Sequence, residues 1–310
     1  MLKAVTYEPL PLHFLMNHSE LLQQTVDALH ESDFEVYFNE GLRKYFDVVG
    51  VREFKVFVKA LMNIDNLGPA EGGELRRFSD AFSSQSIVVG ERAGMEPLAE
   101  DIVYQRFGNP CVSIPTFKKI LKGEAVSRFT KRGQLLVGID GDALKELREQ
   151  HGISQDELAR VLDCTGQTVY RMEKQNRVQE DLFEKLLDYF GKSIEVGAVE
   201  LKEPLGKTEM PVSDPLKKEI VKEYVRLKLK SISLQTPIDF ALEDRPVLTP
   251  ISRTEAELRA KQRVAKSLEE ALGCGVVHIT KEKKARRIPA LSFKELHYIS
   301  SKDEILEKLD

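Results

Sequence analysis

The chain has 310 residues, 42% hydrophobic and 31% charged, a composition that suits two or three packed domains and excludes a disordered or fibrous polypeptide. No run approaches the ~18 consecutive apolar residues of a membrane span, and the opening segment MLKAVTYEPLPLHFLMNHSE breaks its apolar patch with prolines, unlike a signal peptide. A net charge of −4 argues against nonspecific coating of nucleic acid, so any affinity for DNA must come from a local surface.

The N-terminal part reads as an α/β domain over residues 1–133. A helix precedes FEVYF, then KYFDVVGV and KVFVKAL follow as strands. A helix near Ala70–Phe82, a strand at SIVVGER and a loop, AGMEPLAEDIVYQ, come next. GNPCVSIPTFKKIL closes the domain with a helix.

The middle of the chain, residues 134–198, is the most legible. After LLVGI, a short strand, the segment GDALKELREQHGISQDELARVLDCTGQTVYRMEKQNRVQEDLFEKLLDYFG holds four short helical patterns. The first runs from about Asp142 to Gln150, with Leu144 and Leu147 on one face and Gly152 as its stop. Ser154 caps a second that carries Leu158, Ala159 and Leu162. Thr165 caps a third with Val169 and Met172 at i, i+3, and a fourth near Gln179–Phe190 ends at Gly191. Two short helices crossing steeply over a tight turn need a small residue at the contact, here Ala159, and apolar residues on the inner face of the second.

A hydrophilic, proline-containing stretch at 199–214 reads as a linker into a C-terminal α/β domain, residues 215–310, whose first helix starts at Pro215. Its pattern repeats that of the N-terminal part: helix, SISLQ, PIDFALED, PVLTPIS, a helix near Thr254–Leu272, GVVHIT, and a close at RRIPALSFKELHYI. An Asp falls in each second strand, Asp47 and Asp239, and a Pro before each closing helix, Pro110 and Pro289. The fold class expected is mixed α/β, with a central all-α four-helix module between two small domains with mixed sheets.

Cys111, Cys164 and Cys274 are far apart, odd in number and without a CxxC pair, which argues against a disulfide framework or a zinc site and for a reducing cytoplasm. No cofactor or metal is expected.

The segment ISQDELA…T…TVYRMEK resembles the lambda-repressor-like, Xre/Cro-type, helix-turn-helix family over residues 141–191, departing from it at Asp163, where that family has glycine. The resemblance implies a reading helix over 166–174 in the major groove of double-stranded DNA. Gly166, Gln167, Tyr170 and Arg171 would then meet base edges, and Gln155, Thr165, Lys174 and Arg177 would meet phosphates. Further phosphate contacts would have to come from Lys122, Arg128, Lys131 and Arg132, or from the loop Lys281–Arg287. Glu180, Asp181, Glu184 and Asp188 oppose DNA from the last helix of the module. GERAGMEPLAEDIVYQRFGNP, with IDGDALKELRE, further resembles a family of archaeal helix-turn-helix transcriptional regulators, nearly full length but weakly after residue 200.

The flanks resemble the restriction-endonuclease-like fold, in which an Asp on one strand and Glu-x-Lys on the next hold Mg²⁺ and steady the attacking water. FDVVGVREFKVFVK supplies Asp47 and Lys59, but Phe57 fills the acidic slot, with Glu53 or Glu40 as the nearest substitutes. After Asp239, PVLTP offers neither acid nor lysine. The sequence therefore points to a cytoplasmic, nucleoid-associated DNA-binding regulator. A homodimer is expected because one short helix buries little DNA surface, with the flanking domains as its interface; an effector ligand is left open. The alternatives are a helix-turn-helix-guided nuclease or repair factor, and a protein-interaction adaptor.

Overall fold

The computed structural model describes residues 17–38, 44–131, 133–191, 194, 212–235, 237–242, 247–281, 290–301 and 304–305. The 199–214 segment falls almost wholly outside the described residues, as do Glu40, Arg132, Pro289 and residues 282–287 of the basic loop.

The first unit runs α1 (His18–His30), β1 (Glu35–Phe38), β2 (Val48–Val51), β3 (Lys55–Asn63), α2 (Pro69–Ala81), β4 (Gln85–Ala93), β5 (Glu96–Pro97), β6 (Ile102–Arg106), β7 (Asn109–Val112) and α3 (Ile114–Leu121). Alternation along β3 sorts its side chains. Val56, Val58 and Ala60 enter the core under α1 and α3, and Phe57 and Leu61 enter the core under α2. β1, β2 and β3 form an antiparallel meander, and β4 and β7 then add in parallel across the α2 crossover. The AGMEPLAEDIVYQ stretch is not a plain loop. It forms β5 and β6, and β6 pairs antiparallel with β7 through the two-residue turn Phe107–Gly108, both at positive φ. Pro110 lies inside β7; the proline that starts the closing helix is Pro115.

Next come β8 (Arg128–Lys131), β9 (Gln134–Gly138), α4 (Gly141–Gln150), α5 (Gln155–Leu162), α6 (Gly166–Gln175), β10 (Arg177–Gln179) and α7 (Glu180–Phe190). The four expected helices of the central module are α4 to α7. A strand unforeseen in the sequence, β10, pairs with β9, so the first sheet continues into the module in the order β1-β2-β3-β4-β7-β6-β8-β9-β10. The position between residues 133 and 134 falls in the β8–β9 hairpin.

The last unit runs α8 (Pro215–Arg226), β11 (Ser231–Ser233), β12 (Phe240–Leu242), β13 (Val247–Thr249), β14 (Ile251–Ser252), α9 (Glu255–Leu272), β15 (Gly275–Val276), β16 (Ile279–Thr280), β17 (Leu291–Ser292) and α10 (Phe293–Tyr298). Its strands follow the course of the first unit: an antiparallel meander β11-β12-β13, then β15 parallel to β13, β16 parallel to β14, and β17 parallel to β16.

Two hydrogen bonds fix the correspondence. Asp47 N donates to Val58 O at 2.8 Å, and Asp239 N to Thr249 O at 3.3 Å. Asp47 Oδ2 accepts from Ala60 N at 2.8 Å, and Asp239 Oδ2 from Ile251 N at 2.6 Å. Both place Val58 against Thr249 and Ala60 against Ile251. Each Asp stands just before its strand rather than within it.

The two units pack on each other. Phe46, Phe57, Leu75, Phe78 and Phe82 share one core with Leu234, Ile238, Leu248, Leu268 and Leu272. α2 and α9 lie between the two sheets; α2 reaches β11 and α9 reaches β2. Glu74, fully buried, accepts from the backbone N–H of Gln235, and Tyr45 Oη donates to Gln235 O at 3.2 Å. Burial pushes the Glu74 carboxyl up, and Arg77, at 2.6 Å, works against that. Among the described residues, no helix is long and apolar enough to cross a membrane.

Candidate nucleic-acid interface

Three of the module's four helices, α4, α5 and α6, start on a side-chain cap. Asp140 accepts from Asp142 N and Ala143 N, and Thr165 accepts from Thr168 N. Ser154 and Glu157 form a reciprocal capping box, whose backbone and hydroxyl donors hold the Glu157 carboxyl below the usual range. The α5–α6 turn passes through Asp163 in the left-handed region at φ 55°, so the aspartate takes the place of the glycine found in the family it resembles. Lys185 Nζ of α7 caps the end of α5 by donating to Leu162 O at 2.8 Å. Leu144, Leu158, Leu162, Val169, Met172 and Leu186 form the core beneath, as their spacing predicts, and Val178 of β10 joins them.

A buried charge sets the helix angles. Glu173 lies one turn after Val169 on the inner face of α6. It accepts from Arg148 Nε of α4 at 2.7 Å and from Gln155 Nε2 of α5 at 2.7 Å. Arg148 also donates to Ile153 O at 2.9 Å, so one network ties three helices and a turn. Sequence reasoning missed it, although the i, i+4 step from Val169 to Glu173 already puts a carboxylate indoors. Close approach adds a second constraint. A Cβ on Gly141 would collide with the backbone of Glu173, and one on Gly166 would collide with the Asp156 carboxylate.

With Val169, Met172 and Glu173 buried, α6 presents Gln167, Tyr170, Arg171 and Lys174 to solvent along one stripe, i, i+3, i+4, i+7. Tyr170 is 45% exposed on that stripe. The remaining expected contacts are less free. Thr165 is exposed but spends its hydroxyl on the cap and on the Thr168 hydroxyl, at 2.9 Å. Gln155 turns its amide onto Glu173. Arg177 is half-buried on β10 and donates to Gln175 Oε1 at 2.8 Å.

Of the supporting cations, Arg128 is paired with Glu180 at 3.0 Å and Lys122 is exposed. The acids Asp181, Glu184 and Asp188 are exposed on α7.

The nuclease-like pair does come together. Lys59 Nζ lies 3.3 Å from Asp47 Oδ1, both groups largely buried. The residues nonetheless do not fit a divalent ion. Phe57 fills the acidic slot, fully buried and ringed edge-on or tilted by Phe46, Phe78 and Phe82. Glu53 is paired with Arg52 in the turn at the far end of the β2–β3 hairpin, with four residue pairs between that turn and Lys59. Among the described residues Asp47 is thus the one carboxylate at this position, and both its oxygens are already engaged. In the last unit Leu248 and Pro250 occupy the positions of Phe57 and Lys59, and Asp239 is held by Lys217 at 2.6 Å and Lys261 at 2.8 Å. Among the described residues, no cluster of three or more His, Cys, Asp or Glu could hold a metal ion.

Residues 18–126 match the PD-(D/E)XK superfamily domain, and residues 144–196 match the helix-turn-helix family. Over nearly its whole length the chain is similar to archaeal proteins that carry the name "Putative HTH-type transcriptional regulatory protein". The relative from Thermococcus kodakarensis is 27% identical, covering 94% of this chain and 95% of its own. Those from Pyrococcus horikoshii and Methanocaldococcus jannaschii are 28% and 27% identical, covering 94% and 93% of this chain and 97% and 95% of their own. No solved structure matches. The chain thus joins a segment that matches the PD-(D/E)XK superfamily domain to one that matches the helix-turn-helix family.

Two outcomes are expected. Arg148→Ala should destabilise the module by ~3–5 kcal/mol, because it leaves Glu173 buried without its cation. Lys174→Ala on the exposed face should stay within ~0.5 kcal/mol. Urea titrations of both variants check this, and equal midpoints would remove the network from its structural role. Incubation of linear, nicked, flap and junction DNA with magnesium or manganese should leave every phosphodiester intact; metal-dependent nicking abolished by Asp47→Ala would restore the enzyme reading.

Proposed function

We propose that this protein is a sequence-specific, double-stranded-DNA-binding transcriptional regulator that reads the major groove with α6. The observation that carries the proposal is the stripe on α6, where four polar or aromatic side chains stand free while the opposite face is fixed by a packed core and a buried ion pair. Gln167 and Arg171 share a face one turn apart and match the bidentate edges of adenine and guanine. Gly166 and Tyr170 complete the base-facing surface. Lys174, Arg177 and Thr165 hold phosphates, and Gln155 joins them by exchanging Glu173 for a phosphate oxygen. Such a protein works in the cytoplasm, on the nucleoid.

The regulator acts as a homodimer, since a single short helix contacts too little DNA for tight specific binding. The broad faces of the flanking units are spent on each other inside one chain, so the dimer contact draws on what stays exposed. Val225 on α8 and Tyr298 on α10, 69% and 81% exposed, belong to helices that touch.

Gln167→Ala or Arg171→Ala should cost ~1–3 kcal/mol on the preferred site and relax base preference there. Lys174→Ala should weaken all sequences alike and flatten the salt dependence by ~1 unit of slope. Selection from a random duplex pool followed by titrations at several salt concentrations measures both, and an unchanged site preference in the first two variants would mean that α6 is not the reading helix. Light scattering with and without the selected duplex should give a dimer. A monomer in both would refute the dimer.

A further inference from the structure

The sheet opens where the first unit passes into the central module. β6 and β8 are parallel neighbours, yet their register holds only Ile102 beside Arg128 and Val103 beside Phe129. β6 runs on to Arg106 and β8 to Lys131, and each then turns back on a different partner, β6 onto β7 and β8 onto β9. Between the two hairpin ends lies a cavity of about 340 Å³, with residues 105–108 on one side and Thr130, Lys131 and Gly133 on the other. That volume stands at the small end of the ~300–1,000 Å³ of ligand clefts and suits one molecule the size of a nucleotide.

The β6–β7 turn is fixed from behind. Nδ2 of the fully buried Asn109 is shared among Gly72 O at 2.8 Å, Phe107 O at 3.2 Å and Arg106 O at 3.4 Å. Arg76 Nη1 donates to Gly108 O at 2.7 Å. The carbonyls of the turn are therefore spent on interior donors. Its backbone N–H groups, on Phe107 and Gly108, have no partner among the described residues. Arg106 is held in place as well. Its Nε and Nη2 donate to Asp65 Oδ1, at 2.8 and 2.6 Å, and its Nη1 to Gln105 O at 2.9 Å, which leaves two of its five N–H groups.

Phe107 is at φ 51°, in the region that favours glycine or asparagine, and 47% of its surface is exposed. A bulky residue in that conformation strains the backbone, and its ring is only half covered in return. The rest of the lining is rich in donors. It holds the Arg106 and Lys131 cations, the Gln105 amide and the Thr130 hydroxyl, and no carboxylate. Asp65, which balances Arg106, lies outside the lining.

We propose that this cavity binds a phosphorylated compound with a planar ring, a nucleoside monophosphate in size and chemistry. Its ring lies against Phe107, and its phosphate is held by Lys131, the spare N–H groups of Arg106 and the two N–H groups of the turn. A lining of donors without a carboxylate selects an anion, and Phe107 selects one that carries a flat ring. β9 leaves this hairpin to pair with β10, so the ligand rests on the strands that join the first unit to the central module. None of these residues belongs to the α6 stripe, and the proposal is independent of the DNA-binding reading.

Full-length wild type, Phe107→Asn and Lys131→Gln are titrated calorimetrically, at fixed ionic strength, with the ribonucleoside 5′-monophosphates, with inorganic phosphate and with adenosine. Asparagine suits the left-handed backbone, so Phe107→Asn removes the ring while keeping the turn, and it should melt at the wild-type temperature or above. Wild type should bind one monophosphate per chain, at least tenfold more tightly than phosphate or adenosine alone. Each variant should lose at least tenfold in affinity. In wild type the nucleotide should also slow acetylation of Lys131, read by mass spectrometry, which keeps the test open if a variant fails to fold. No monophosphate bound at millimolar concentration, or binding that both variants leave unchanged, would end the proposal. Weakened duplex binding by Lys131→Gln in a protein that binds no nucleotide would assign that cation to a DNA phosphate and would end it as well.

Discussion

The face of the first sheet that carries Asp47, Phe57 and Lys59 is also the face that packs on the last unit, and most of the architecture follows from that. A carboxylate at position 57 would be buried among Phe46, Phe78 and Phe82 and would carry an uncompensated charge into the shared core. Phenylalanine there contributes instead to a large apolar surface that joins α2 to α9 across two sheets. Phenylalanine at position 57 and an internal partner on this face therefore go together. Leu248, at the equivalent position of the last unit, completes the same core from the other side.

The Asp–Lys pair keeps a structural use. Asp47 ties the start of β2 to the backbone of β3 through Ala60 N, and Lys59 balances its charge. Asp239 does the same for β12 and β14, but its lysines come from α8 and α9, because Pro250 stands where Lys59 would be. A fold can preserve the position of a catalytic carboxylate for its backbone hydrogen bonds alone, which is why such an Asp is a poor witness to catalysis.

Local signals made the helix-turn-helix legible. Ser154 with Glu157, Thr165 before Gly166, and apolar steps of three and four residues specify where α5 and α6 start and which faces they bury. The element order of both flanks was readable for the same reason, as alternating strands interrupted by helical periods. β10 was not legible: Arg177, Val178 and Gln179 are too few to show a period, and only pairing with β9 makes them a strand. β6 was read as loop because Ile102–Arg106 follows Gly94, Pro97 and two acids, and its pairing with β7 depends on a turn with Phe107 in the left-handed region, where sequence would ask for Asn or Gly. The Arg148–Glu173–Gln155 network was invisible to any count of charges, which assigns all three residues to solvent.

The shared core has a consequence for the order in which the protein can be made. Phe46, Phe57, Phe78 and Phe82 emerge early, while Leu248, Leu268 and Leu272, which cover the same surface, are synthesised last. At ~5–20 residues per second, extending the chain from Leu121 to Leu272 takes on the order of ten seconds or more. For that interval the first unit holds an aromatic face with nothing laid against it, and the helix-turn-helix is completed before the unit beneath it is closed. A nascent chain of this design carries that uncovered aromatic face through the middle of translation, at the stage when its helix-turn-helix segment is already complete.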